Sequence, residues 1–261
     1  MAEEKQAQTT EEAPVDFEAP LPQFKHKTLD DFYDHPMKGY PVTSKVFIGA
    51  IVGLCGAFTK LLWQWKMVNG KEKLWDDARG KVLVMNHVSM VEPVAIIVSM
   101  WCHGIKVRTV YKSEFNKIPG AKTIFSRAGA IPVERGTADI KVVRRCQRAL
   151  KRGECVLIYP EGTRIRPGEE PGEIHGGFAL MAQMGRAPVQ PLAIVGPGDF
   201  KMFGKKWKKP GRCYIKAGEP ITFEELGVKK RKEQIAKMEE LAVERMFALR
   251  DEMREEYPGK V

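Results

Sequence analysis

A chain of 261 residues, 43% apolar and 29% charged, has the length for one large α/β domain or two small ones and the composition of a soluble, folded body. Its formal charge of +10 is uneven: residues 1–35 hold nine acidic side chains against three basic ones, leaving 40 basic and 24 acidic side chains in the rest. Such a basic body suits nucleic acid, an anionic membrane or a phosphorylated substrate; with no zinc spacing, basic zipper or aromatic RNA-binding signature, nucleic acid is set aside as a partner.

The chain opens on MAEEKQAQTTEEAPVDFEAPLPQF, too acidic and polar for a signal peptide and rich in Pro, Glu and Gln. Residues 1–38 are therefore expected to be a disordered tail. An apolar segment follows at 46–65, VFIGAIVGLCGAFTKLLWQW, whose uncharged run ends before Lys60. It is short for a spanning helix and also fits a buried core helix. Three features favour a membrane surface: Trp63 and Trp65 at one end, Lys45 and Lys60 flanking the run, and Gly49 and Gly53 at a helix-packing spacing. Residues 39–70 are predicted to be a helical segment attached to one leaflet.

From residue 81 onward short β-like runs alternate with helical ones. Strands are predicted at 81–85, 106–111, 130–135, 155–159, 188–196 and 212–218. Helices are predicted at 93–102, at 138–153 (where Val142, Val143, Cys146, Ala149 and Leu150 share a face), at 176–185, and over most of 229–257. This alternation predicts a single α/β domain with a central, largely parallel sheet flanked by helices. Two prolines in APVQPLAI (187–194) point to an edge strand or a bend. The cluster DFKMFGKKWKKPGR (199–212) mixes aromatics with cations and fits either a membrane footprint or a solvated loop. Five scattered cysteines with apolar neighbours read as small hydrophobes in a reducing compartment.

The stretch NHVSMVEP (86–93) carries the chemistry. Pro93 suits the first helical position and pushes Glu92 out of helical geometry, so Glu92 is predicted to be the N-cap. His87 then lies in the loop after a strand, at the sheet edge where open α/β folds build their sites. A neutral imidazole there can accept a hydroxyl proton while a carboxylate holds its other nitrogen. Without a G-x-S-x-G nucleophile motif, direct transfer with no covalent intermediate is expected. Taken alone, the pair also fits an ordinary structural turn. Two further blocks end strands with arginines: GAIPVER (129–135) and YPEGTR (159–164), the latter a turn whose N–H groups and guanidinium could meet phosphate.

Together these blocks resemble the glycerolipid acyltransferases typified by 1-acyl-glycerol-3-phosphate acyltransferase. That family's N-H-x-S-x-x-D is similar to Asn86, His87, Ser89 and Glu92. Its G-x-I-x-[VI]-x-R matches Gly129, Ile131, Val133 and Arg135. Its [FY]-P-E-G-T-R-S matches Tyr159 to Arg164, with Ile165 in place of serine, and its V-P-[VI]-x-P block matches Pro188, Val189 and Pro191. YKSEFNKIPG (111–120) looks like the stretch between the first two blocks, with Lys112 at an often-lysine position. The resemblance implies an acyltransferase domain over 71–261. It implies transfer of a fatty acyl group from acyl-CoA or acyl carrier protein to the sn-2 hydroxyl of lysophosphatidic acid, giving phosphatidic acid, with no metal. His87 would be the general base and Glu92 its orienter; Lys112, Arg135, Glu161, Gly162, Thr163 and Arg164 would hold the substrate. The enzyme would work at the cytoplasmic face of a phospholipid membrane. Two departures bear on this: Glu92 is longer by about 1.5 Å than the family's aspartate, and His175 stands where lysine is common. Competing expectations are acylation of another lysophospholipid or of glycerol 3-phosphate, and a non-catalytic adaptor that binds lipid phosphate.

Overall fold

The computed structural model describes Phe24 and residues 28–75, 79–134, 139–165, 173–196 and 212–258. Seven strands form one sheet: β1 (Lys66–Met67), β2 (Val82–Met85), β3 (Val107–Lys112), β4 (Ile131–Val133), β5 (Cys155–Ile158), β6 (Val189–Val195) and β7 (Tyr214–Ala217). Their spatial order is β1-β7-β6-β2-β5-β3-β4, and every pairing is parallel except β6 with β7. The α/β expectation with a largely parallel sheet is met.

Strands β2 (VLVM) and β5 (CVLI), at the middle of the sheet, are apolar without a break because helices cover both faces. Leu83 and Met85 of β2 pack with α3 (Val91–Cys102) and with Trp63 of α2 (Val42–Trp63). Val82 and Val84, pointing the other way, meet α5 (Ile140–Lys151), α6 (Gly177–Gly185) and α7 (Arg231–Glu256). Asp139 caps α5 by accepting the N–H groups of Lys141 and Val142.

Several expectations are corrected. The strand with two prolines is interior, between β2 and β7. A residue's N–H and C=O point to the same side of a strand, and the Pro191 carbonyl accepts the Gly218 N–H. The missing donor of Pro191 therefore faces the Gly218 carbonyl just past the end of β7, and that carbonyl accepts instead from Gln190 Nε2 at 3.0 Å. The last part of the expected tail is ordered: α1 (Asp30–Asp34) and a 3₁₀ turn at Met37–Gly39 bury Phe32, Tyr33 and Met37. Arg108, fully buried, holds this segment by donating from Nη2 to the His35 carbonyl at 2.5 Å and from Nη1 to the Phe32 carbonyl at 3.1 Å, while Nε meets Glu154 at 2.6 Å. The second Glu154 oxygen accepts the Met37 N–H at 2.5 Å.

Helix α2 is long and apolar enough to cross a membrane. Its inner face (Ile48, Gly56, Thr59 and Trp63) is buried, whereas Val42, Leu54 and Leu61 are each more than 70% exposed. The residues expected to mark a membrane boundary serve the core instead. Trp63 and Trp65 are buried, and Gly49 and Gly53 face open space. The close helix contact is made by Gly56, where a Cβ would lie 2.7 Å from Val98 of α3. The cluster 199–212, apart from Arg212, lies outside the described residues.

Candidate active site

Parallel pairing places the ends of β2 and β5 side by side, with Val84 opposite Ile158. Three residues further along both chains stand His87 and Glu161, and the His87 N–H donates to Glu161 Oε2 at 2.6 Å. On the other flank the Asn86 side chain continues the ladder toward β6, donating to the Ile194 carbonyl at 3.0 Å and accepting its N–H at 2.8 Å. The end of β2 is thus fastened to both neighbours.

The imidazole of His87, 16% exposed, stacks on Tyr159 with ring centroids 4.2 Å apart. Its Nδ1 is turned inward, 3.7 Å from Glu92 Oε2, and makes no hydrogen bond among the described residues. A closing movement of about 0.8 Å would bring the pair to hydrogen-bond length.

Glu92 is not the N-cap. It is the second residue of α3, which starts at Val91, with Pro93 behind it in the first turn, where the missing N–H costs no helical bond. This position turns the carboxylate back over the loop. Oε1 accepts the N–H groups of Val88 and Ser89 at 2.7 and 2.6 Å, and Oε2 accepts from the Ser89 hydroxyl at 3.1 Å. Burial is complete, and these donors together with the helix N-terminus sustain the charge. With its extra methylene, Glu92 holds both loop N–H groups on one oxygen while the other faces the imidazole at 3.7 Å. Glu92→Asp is therefore expected to lower kcat by about tenfold, measured by steady-state kinetics, because a displacement near 1 Å breaks this arrangement. A gain in kcat would mean the longer acid is poorly fitted.

The YPEGTR turn is placed differently from the phosphate cradle expected of it. The N–H groups of Gly162, Thr163 and Ile165 bond to the carbonyls of Tyr159, Glu161 and His87, so they are committed within the protein. Gly162 has φ +57°, where a side chain would be strained. The Glu161 carboxylate points inward, with the residue only 4% exposed. Burial raises its pKa to about 7, helped by the Glu92 charge and opposed by the His87 N–H and the Arg250 charge of α7. Because the folded value is the higher one, Glu161 favours folding most at low pH, and that contribution falls as pH rises toward 7. Burial, with a contribution from Glu92, holds the Tyr159 hydroxyl far above its ordinary range, so it stays neutral. Thr163 and Arg164 are exposed at the rim. Lys112 ends β3, two strands and about 10 Å from β2. Arg135 lies outside the described residues. The exposed His175 is tied to the turn through its N–H, which donates to the Pro160 carbonyl.

The Acyltransferase family model matches residues 67–195, the span that holds the His87 loop, Glu92 and the YPEGTR turn but not Arg250. The 1-acyl-sn-glycerol-3-phosphate acyltransferase of Bacillus subtilis (strain 168) is 28% identical over 186 residues, 71% of this chain and 88% of that one. The chain belongs to the glycerolipid acyltransferase family. A second relative of this acyltransferase, the lyso-ornithine lipid O-acyltransferase of Pseudomonas aeruginosa, is 34% identical over 84 residues, 32% of each chain. The crystal structure of the 1-acyl-sn-glycerophosphate (LPA) acyltransferase PlsC from Thermotoga maritima superposes with a TM-score of 0.53 at 21% identity, covering 77% of this chain and 80% of that one, a likeness of fold. The acyltransferase blocks gave no sign of Arg250, which reaches the site's electrostatics from α7 through tertiary packing alone. Tyr159 was quoted within its block, but only the stacked geometry reveals its contact with His87.

Proposed function

We propose that this acyltransferase moves a fatty acyl group from acyl-CoA or acyl carrier protein to the sn-2 hydroxyl of lysophosphatidic acid. The observation that carries the reading is the pairing of His87, at the end of the central strand β2, with the fully buried Glu92 facing its Nδ1. His87 Nε2 takes the hydroxyl proton as the oxygen bonds to the thioester carbonyl carbon. The C–S bond then breaks, and the departing thiolate receives the proton from the imidazolium. Glu92 fixes the ring and stabilises its cation. The Arg164 guanidinium and Thr163 hydroxyl at the rim, with Lys112 and Arg135, receive the glycerol phosphate; Gly162, whose N–H is spent on the Tyr159 carbonyl, shapes the turn that carries them. The exposed apolar face of α2 holds the enzyme to one leaflet, at the cytoplasmic face of the membrane. The retained base sets this reading above a lipid-phosphate adaptor, which needs none.

The test is purified full-length protein with oleoyl-CoA and a panel of lysophosphatidic acid, other lysophospholipids, lyso-ornithine lipid and glycerol 3-phosphate, products read by mass spectrometry. Fastest turnover of lysophosphatidic acid supports the assignment, and preference for another acceptor moves it there. Arg164→Ala is expected to raise the KM for lysophosphatidic acid by about tenfold or more while leaving the KM for oleoyl-CoA nearly unchanged, the signature of a charge-assisted phosphate contact. Equal changes in both constants would make Arg164 a structural residue.

A further inference from the structure

The turn at Tyr159–Ile165 takes hold of both main-chain polar groups of His87. Glu161 Oε2 accepts the His87 N–H at 2.6 Å, and the Ile165 N–H donates to the His87 carbonyl at 2.8 Å. We infer that Glu161 is a positioning residue that fixes the His87 peptide for catalysis, and that it does not hold substrate phosphate. The inference rests on the reading of His87 as the base.

The geometry explains why a carboxylate stands here. Strands β2 and β5 pair through Val84 and Ile158, and beyond that point their main chains diverge toward separate loops. The part-buried His87 N–H would otherwise lose its acceptor. Glu161 spans the gap with a side chain and extends the ladder by one bond. With its N–H and C=O both held, His87 has little freedom in φ and ψ, so its Cβ direction is set. Tyr159 then fixes the plane of the ring from beneath, and Glu92 faces Nδ1. Three neighbours thus constrain three different degrees of freedom of one side chain. A phosphate ligand would need the opposite arrangement, with donors turned to the rim, whereas the Glu161 side chain is turned inward and spends Oε2 on the His87 N–H. The partly protonated character that burial gives Glu161 is compatible with this role, because a neutral carboxyl still presents an acceptor oxygen to the N–H.

The test uses full-length protein in detergent micelles, with steady-state kinetics for lysophosphatidic acid and oleoyl-CoA and hydrogen exchange at the His87 amide by NMR. Glu161→Ala is expected to lower kcat by about 10²-fold, to leave the KM for lysophosphatidic acid within about twofold, and to speed exchange of the His87 amide by about tenfold or more. Glu161→Gln keeps an acceptor oxygen and is expected to recover about tenfold of the lost kcat with the amide protected again. A raised KM for lysophosphatidic acid with kcat kept, or an unchanged His87 amide in folded Glu161→Ala, overturns the inference. Should Glu161→Ala not fold, Glu161→Gln decides alone: a protected amide with unchanged KM supports positioning, and a raised KM overturns it. Exchange needs no turnover. A wild-type chain that acylates nothing in the panel, with the amide nonetheless loosened in Glu161→Ala, would defeat the assignment of His87 as base and leave the clamp in place.

Discussion

His87→Ala is expected to lower kcat by about 10² to 10⁴-fold, the usual contribution of a positioned base. The fold should survive, because the imidazole is part-exposed and makes no hydrogen bond among the described residues through Nδ1. Steady-state kinetics beside a thermal melt separates the two effects. Glu92→Gln should lose nearly as much, since an amide neither stabilises the imidazolium nor accepts all of its present donors without conflict. The double variant should be little worse than either single one, as expected for residues that act as a unit. Full activity in His87→Ala would remove the base assignment outright.

Glu154→Ala should have the largest effect on stability. Arg108 is fully buried, and Glu154 is its carboxylate partner at 2.6 Å. Removing that partner leaves a buried guanidinium unpaired and orphans the Met37 N–H, at a cost of about 3–5 kcal/mol. For a chain of this size the melting temperature should drop by about 10 °C or more. Limited proteolysis should then open first between residues 28 and 40, which Arg108 and Glu154 hold in place. Asp34, paired with Arg148 at 2.5 Å and Arg145 at 3.4 Å, is a more exposed second anchor, so Asp34→Ala should cost far less. A melt of Glu154→Ala superimposable on wild type would show that the segment is held by its apolar contacts alone.

The strands and the amphipathic helix α5 were legible because their patterns are local: apolar runs bounded by turns, and a helical stripe with a cap. The position of His87 at a strand end was legible for the same reason. The depth of Glu92 in the helix was not, because the rule that proline disfavours helical geometry before it yields to three donors that only the folded loop supplies. Pro191 was misread since a sequence does not tell which side of a strand loses its neighbour first. Residues 28–38 read as tail because they continue the acidic, Pro- and Glu-rich stretch before them, while Phe32, Tyr33 and Met37 find their partners in Arg108, α4 (Ala121–Arg127) and α5. The two tryptophans at the end of α2 match the pattern of a membrane boundary but pack inward, and the exposed apolar surface runs along the helix through Val42, Leu54 and Leu61.

The strand order has a consequence for how the protein comes into being. The two neighbours of β2 are β5 and β6, whose paired residues lie roughly seventy to a hundred or more positions later in the chain. During synthesis β2 therefore leaves the ribosome with both edges open, and the His87 loop has no Asn86–Ile194 bridge and no Glu161 until most of the chain exists. Apolar helix α2 emerges earlier still, and its inner face waits for α3 to be laid against it. The His87 loop consequently waits for β5 and β6 to acquire its partners, and any fragment ending before Val195 lacks a complete central strand set. Fertile shuffling of such a gene by truncation is closed off: the site exists only when its last strand does.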